Sequence, residues 1–127
     1  SKGVARTCLI TDAMPEQGLP DGSYESIGGA VLLDKGRLSL ADNPAVLAGS
    51  VLTLDRAVAN MVTMVGFPLA DAVAMASASP AAVLGIDHRK GRIEEGFDAD
   101  IAVLDRRYNA RLTMVGGKIV HNTLSAG

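Results

Sequence analysis

The sequence predicts an α/β protein, with strands towards both ends and helices between them. Short apolar runs bounded by Gly, Pro and Asp stand in the first and last thirds, which is the pattern of strands separated by turns. The middle of the chain repeats its apolar residues at three- and four-residue spacing, the signature of helices with one buried face.

Taken in order, residues 4–11 (VARTCLIT) have the composition of a buried strand, mostly apolar and stopped by Asp12. Residues 13–26 hold Pro15, Gly18, Pro20, Asp21 and Gly22 and read as a loop. Residues 30–33 and 37–40 are strand candidates joined by Asp34-Lys35-Gly36, a short hairpin turn in which Gly supplies a positive φ. Leu54, Ala57, Val58, Met61, Val62 and Val65 form one helical stripe, with Asp55, Arg56 and Asn60 off it. Gly66 suits a left-handed cap. Pro68 opens a second helix, with Asp71 near its positive end, that runs to about Ser77. Ser79-Pro80-Ala81-Ala82-Val83-Leu84-Gly85 reads as an N-cap, a first-turn proline, a short helix and a glycine stop. Residues 101–104 and 111–115 read as strands, and Gly116-Gly117 turns the chain into a last strand over 118–121. The first and last strands have few local partners, so the chain is expected to be the C-terminal part of a longer protein.

A length of 127 residues fits one domain. Hydrophobic residues reach 48% but aromatics only 3%, with no Trp, so the core must be built from Ala, Val, Leu, Ile and Met. The net charge is -2, from 12 basic and 14 acidic residues, and no basic cluster marks a nucleic-acid surface. The densest basic run, His88-Arg89-Lys90 with Arg92, is followed at once by Glu94 and Glu95 and reads as a solvated turn. Cys8 is the one cysteine, which excludes an internal disulfide, and its apolar surroundings make it a small buried hydrophobe. No secretory leader is evident, and no apolar run reaches the ~20 residues needed to span a bilayer. The expectation is a soluble cytoplasmic protein.

Catalytic zinc usually takes three protein ligands, yet the histidines are only His88 and His121, in unrelated contexts. This chain alone builds no conventional zinc site. A Gly-x-Ser-x-Gly elbow and a phosphate-binding P-loop are both missing. What stands out is Thr11-Asp12-Ala13-Met14-Pro15, an apolar run ending on a carboxylate before a Gly/Pro loop. In β/α barrels the C-terminal ends of strands face the active site, and an Asp there serves as general base and then general acid. Position alone favours an Asx-turn or a loop cap over that role. The second feature is Leu47, Ala48, Gly49 and Ser50, ahead of the first helix. Gly49 admits close backbone approach, and N–H groups at a helix start bind anionic or carbonyl oxygens. An ordinary loop with Ser50 as N-cap is the plain alternative.

Together these residues resemble the N-acetylglucosamine-6-phosphate deacetylase family of the amidohydrolase superfamily. The resemblance rests on Leu9-Ile10-Thr11-Asp12-Ala13-Met14, then Leu47-Ala48-Gly49-Ser50, then Ala59-Asn60, Met75-Ala76-Ser77 and Pro80-Ala81. It continues through Gly91-Arg92-Ile93 and Gly96 to Ala99-Asp100-Ile101, and so covers nearly the whole chain in order. The first two motifs are the more specific to the deacetylases; the later ones occur across amidohydrolases.

The resemblance implies the C-terminal part of a (β/α)8 TIM-type barrel plus terminal strands of a small β-sandwich. Residues 1–84 would supply the last barrel strand, its loop and the closing helices, and residues 85–127 the sandwich strands. Asp98 and Asp100 would be structural. Asp12 matches the family's catalytic Asp, and Leu47 to Ser50 match the segment that touches the sugar phosphate. A divalent metal, zinc by preference, would be bound mainly by residues outside this chain, because the family's Glu and His ligands have no counterpart here. The family's phosphate-binding Arg and His are missing as well. The implied activity is hydrolysis of N-acetylglucosamine 6-phosphate to acetate and glucosamine 6-phosphate, in a homodimer, with the isolated chain inactive. Two rival readings remain: a dihydroorotase-like or adenine-deaminase-like amidohydrolase, against which the Leu47 to Ser50 motif argues, and a non-catalytic module derived from a barrel.

Overall fold

The computed structural model describes residues 3–124. The chain forms two compact units: Ile10–Thr53, and Leu54–Gly127 together with Ser1–Leu9. No helix among the described residues is long and apolar enough to cross a membrane.

The Ile10–Thr53 unit is a four-stranded antiparallel sheet whose strands neighbour one another in chain order. They are β1 (Gly22–Ser26), β2 (Gly29–Asp34), β3 (Arg37–Leu40) and β4 (Leu47–Gly49). Turn chemistry explains the β2–β3 hairpin. Asp34 pairs with Arg37, and the two loop residues, Lys35 and Gly36, both take positive φ, 48° and 78°. That is the backbone a two-residue hairpin wants, because its twist matches that of the strands. The Lys35 N–H donates to Asp21 Oδ1 across 3.0 Å, which ties the turn to the start of β1. Alternation then sorts the faces: Val31, Leu33 and Leu38 are buried together, and Met14, Tyr24, Ala48 and Val51 pack against them.

The second unit begins with a 3₁₀ turn, Val4–Arg6, and then three helices: α1 (Leu54–Thr63), α2 (Leu69–Ala76) and α3 (Ala78–Val83). Gly66 follows α1 at φ 84°, and the Phe67 N–H donates to the Met61 carbonyl, closing the helix end. Pro68 caps α2, where its missing N–H costs nothing. Ala57, Val58, Ala59, Ala72, Met75 and Ala81 are the buried apolar side chains among the described residues of this unit. Small residues dominate that set, so the helices approach closely. A three-stranded antiparallel sheet completes the unit, in the order β5 (Ile101–Leu104), β6 (Ala110–Val115), β7 (Lys118–Asn122). Gly116 and Gly117, at φ 53° and 77°, make the β6–β7 turn.

Four expectations change. Residues 4–11 do not form a strand: they make the 3₁₀ turn and then run extended without a ladder. Among the described residues no strand pairs with them, and a strand exists only through pairing. The Leu9 N–H instead donates to the Met75 carbonyl at 2.8 Å. Residues 22–26, read as loop, are β1, because the Ser26–Gly29 pairing folds this segment back on β2. The third helix starts at Ala78, with Ser77 rather than Ser79 before it. Ser79 is buried, and its hydroxyl donates to the Val4 carbonyl at 3.0 Å, 75 residues away. Cys8 is half-buried rather than fully enclosed.

Candidate active site

Asp12 and the Leu47–Gly49 strand fall in the same unit. Asp12 is not the end of a strand. It is exposed and sits in the left-handed region at φ 49°, one of three non-glycine residues with positive φ among those described. Asp tolerates that conformation better than most residues. The chain re-enters order at the next position. Ala13 bridges Ser50 in parallel, and the Met14 N–H donates to the Ser50 carbonyl at 2.8 Å. A turn over Pro15 to Gly18 follows, in which the Gln17 N–H donates to the Met14 carbonyl. Gln17 Nε2 then donates to the Leu52 carbonyl at 2.5 Å. The loop carrying Asp12 and the segment around Leu47 to Ser50 are thus held side by side through backbone bonds.

The second feature departs from its expected form. Leu47, Ala48 and Gly49 form β4, with Leu38 opposite Gly49 and Ser39 opposite Leu47, rather than a loop presenting N–H groups at a helix start. Helix α1 begins only at Leu54, so Ser50 is not its N-cap. The Ser50 hydroxyl accepts the Leu52 N–H at 3.1 Å instead. Gly49 has no room for a side chain: a Cβ there would overlap Met14 Cγ and lie 3.1 Å from Sδ.

Glu16 was not singled out by the sequence, yet it is 3% exposed and its Oε2 has no hydrogen-bond partner among the described residues. Its position in a Pro/Gly-rich turn masks it, since burial of a turn residue depends on packing rather than on local pattern.

The basic run is a solvated turn, as expected, and its cations also make ion pairs. Arg89 Nη1 lies 2.8 Å from Asp98 Oδ2, and Lys90 Nζ pairs with both Asp98, at 2.9 Å, and Asp100. Asp100 Oδ1 also accepts the Gly116 N–H at 2.7 Å. The Lys90 hydrogen bonds hold the carboxyls of Asp98 and Asp100 below the usual carboxylate range, and these two, Asp100 first, raise the Lys90 ammonium. Asp98 and Asp100 therefore brace the start of β5, the structural role expected of them. Asp105 is lowered by the Asn109 backbone N–H and side chain, and its Oδ1 also accepts the Arg107 N–H at 2.8 Å, the Asx-turn of the β5–β6 connection.

No group of three or more His, Cys, Asp and Glu that could hold a metal ion occurs among the described residues. His88 and His121 are both exposed, one in a turn after α3 and the other on β7. The described residues do not by themselves fit a divalent metal.

Residues 21–120 match the model of the Amidohydrolase family. The chain is 39% identical over 114 residues to an N-acetylgalactosamine-6-phosphate deacetylase of Escherichia coli O157:H7, covering 90% of this chain and 30% of that protein. It is 33% identical over 119 residues to the N-acetylglucosamine-6-phosphate deacetylase of Haemophilus influenzae, covering 92% of this chain and 31% of that one. The crystal structure of N-acetylglucosamine-6-phosphate deacetylase from Pasteurella multocida superposes with a TM-score of 0.81 at 30% identity, covering 93% of this chain and 31% of that chain. An Escherichia coli K12 relative is covered over 67% of its length; against the other three, this chain spans about a third. The chain belongs to the amidohydrolase family.

Proposed function

We propose, with membership of the amidohydrolase family as the premise, that this chain is the Asp-bearing C-terminal portion of an enzyme that deacetylates N-acetylglucosamine 6-phosphate. The observation that carries the reading is the joining of two motifs: the Asp12 loop is bonded directly to the segment ending at Ser50. In this reading Asp12 takes a proton from the attacking water as its oxygen adds to the acetyl carbonyl. It then returns that proton to the amine nitrogen as the C–N bond breaks. Acetate and glucosamine 6-phosphate leave. Leu47, Ala48, Gly49 and Ser50 line the sugar phosphate.

The divalent metal, zinc in the first instance, polarises a carbonyl and acidifies water wherever it is bound. It would be held by residues outside this chain. Residues 1–84 would close a β/α barrel and residues 85–127 would complete a small β-sandwich. The enzyme would be a cytoplasmic homodimer; a phosphorylated sugar is charged and does not cross a bilayer unaided.

A second reading is favoured by two comparisons. Two relatives that are 39% identical are named for the galactosamine substrate, so the epimeric sugar phosphate is the alternative. Acetate release from the full-length gene product, with each sugar phosphate in turn and zinc added, tests both. Turnover of neither would remove the deacetylase reading, and preference for one epimer decides between them. The isolated 127-residue chain is expected to release none.

A further inference from the structure

Asp12 has little of its own to fix it. It is exposed, lies on positive-φ backbone, and follows Ile10, which is 72% exposed. A general acid–base group needs its atoms held in place, because an error of about 1 Å costs on the order of 10²-fold in rate. The constraint must come from the residues that follow. Three features converge there, all within the Ile10–Thr53 unit. The Met14 N–H is bonded to the Ser50 carbonyl at 2.8 Å. The Met14 side chain packs on the Val31, Leu33 and Leu38 core and occupies the space that a Cβ at Gly49 would need. Gln17 Nε2 reaches the Leu52 carbonyl at 2.5 Å, a second tie between the two segments.

We propose that Met14 and Gln17 are positioning residues that clasp the Asp12 loop onto β4 and the residues after it, with Gly49 kept bare to seat the Met14 side chain. This rests on the deacetylase reading for its kinetic consequence, but the clasp itself is a property of the loop. Each arm places a constraint two to five residues from Asp12. Met14 supplies an apolar plug and a backbone bond, and Gln17 a side-chain donor. A side chain at Gly49 would displace the plug and swing the loop.

The test is a double-mutant cycle in the full-length protein, read by kcat and KM and by hydrogen exchange at the Met14 amide. Gly49→Ala is expected to lower kcat by ~10- to 100-fold and to speed Met14 exchange. Met14→Ala removes the plug and is expected to lower kcat on its own; because both changes break the same contact, the pair G49A/M14A is expected to lose little more than either single variant. A G49A enzyme with normal kcat and normal exchange, or a double variant whose loss in kcat is the full product of the two single losses, overturns the clasp. Should G49A fail to fold, Gln17→Glu is the second variant: it keeps the shape and removes the donor. Lower kcat at little-changed KM supports the clasp; unchanged kcat overturns it. An Asp12→Asn enzyme separates the two ideas. If it retains full activity, the deacetylase role of Asp12 has failed, and the clasp is then judged by exchange at the residue-14 amide alone, faster in G49A and in Met14→Ala and little faster again in the double variant.

Discussion

The two units of this chain use the same antiparallel construction for different ends. In Ile10–Thr53, the residues proposed to do chemistry are held by backbone pairing and apolar packing: Met14 on Gly49, Ala13 against Ser50. In the unit beginning at Leu54, the sheet is braced by charge, with Arg89 and Lys90 bridging to Asp98 and Asp100 ahead of β5. A reactive carboxylate is better positioned by neutral contacts, because a paired cation would lower its basicity. A structural carboxylate carries no such restriction, and its ion pairs serve only to hold a loop.

The sharpest way to test that contrast is to remove a carboxylate from each unit. Asp12→Asn in the full-length enzyme is expected to lose at least ~10²-fold in acetate release, the scale of a general acid–base group, with stability little changed. Asp98→Asn is expected to leave the rate near normal. The reverse outcome would show that the roles have been exchanged.

The cores can be compared next. Leu38 and Met75 are each 1% exposed, one in each unit. Truncation of either to Ala is expected to cost about 2–5 kcal/mol, from lost burial plus the cavity left behind. Hydrogen exchange should locate the damage: Leu38→Ala in strands β2 and β3, Met75→Ala in helices α1 and α2. A smaller effect comes from Ser79→Ala, which removes the buried hydroxyl bonded to the Val4 carbonyl. A loss of about 1 kcal/mol in denaturant unfolding is expected.

The smallest effect is a pH dependence confined to the second unit. Asp98 and Asp100 have carboxyls lowered from the ordinary 3.8, so their stabilising contribution is complete above that value and is lost as pH falls through the lowered ones. Lys90, raised from 10.5, contributes fully below that value and loses its share only as pH rises beyond it. Lys90→Met should therefore flatten the acid limb of melting temperature against pH and leave the dependence of the Ile10–Thr53 strands unchanged. These groups are exposed, so the shift is expected to shrink in high salt.

Local chemistry was legible in the sequence wherever a turn or cap decides the outcome alone. The β2–β3 hairpin follows from Asp34-Lys35-Gly36, and the ends of α1 and α2 from Gly66 and Pro68. The motif pair around Asp12 and Leu47 to Ser50 was visible too, though not its geometry. Ser23, Tyr24 and Glu25 carry no apolar alternation strong enough to announce β1; they become a strand because Tyr24 falls opposite Val31. The cationic run read as a solvated turn; that Arg89 and Lys90 pair with Asp98 and Asp100 was not legible in it.

By itself, then, the sequence determined the hairpin turns, the helix stops, the small-residue core and the family to which the chain belongs. Each follows from properties of a few adjacent residues or from an ordered set of motifs. Tertiary structure alone decided that residues 4–11 form a 3₁₀ turn and an unpaired extended run rather than a strand, that Leu47–Gly49 is β4 rather than a helix approach, and that Met14 seats on Gly49. The reason is physical: pairing partners and steric neighbours lie tens of residues away along the chain, and no local pattern encodes which of them arrive.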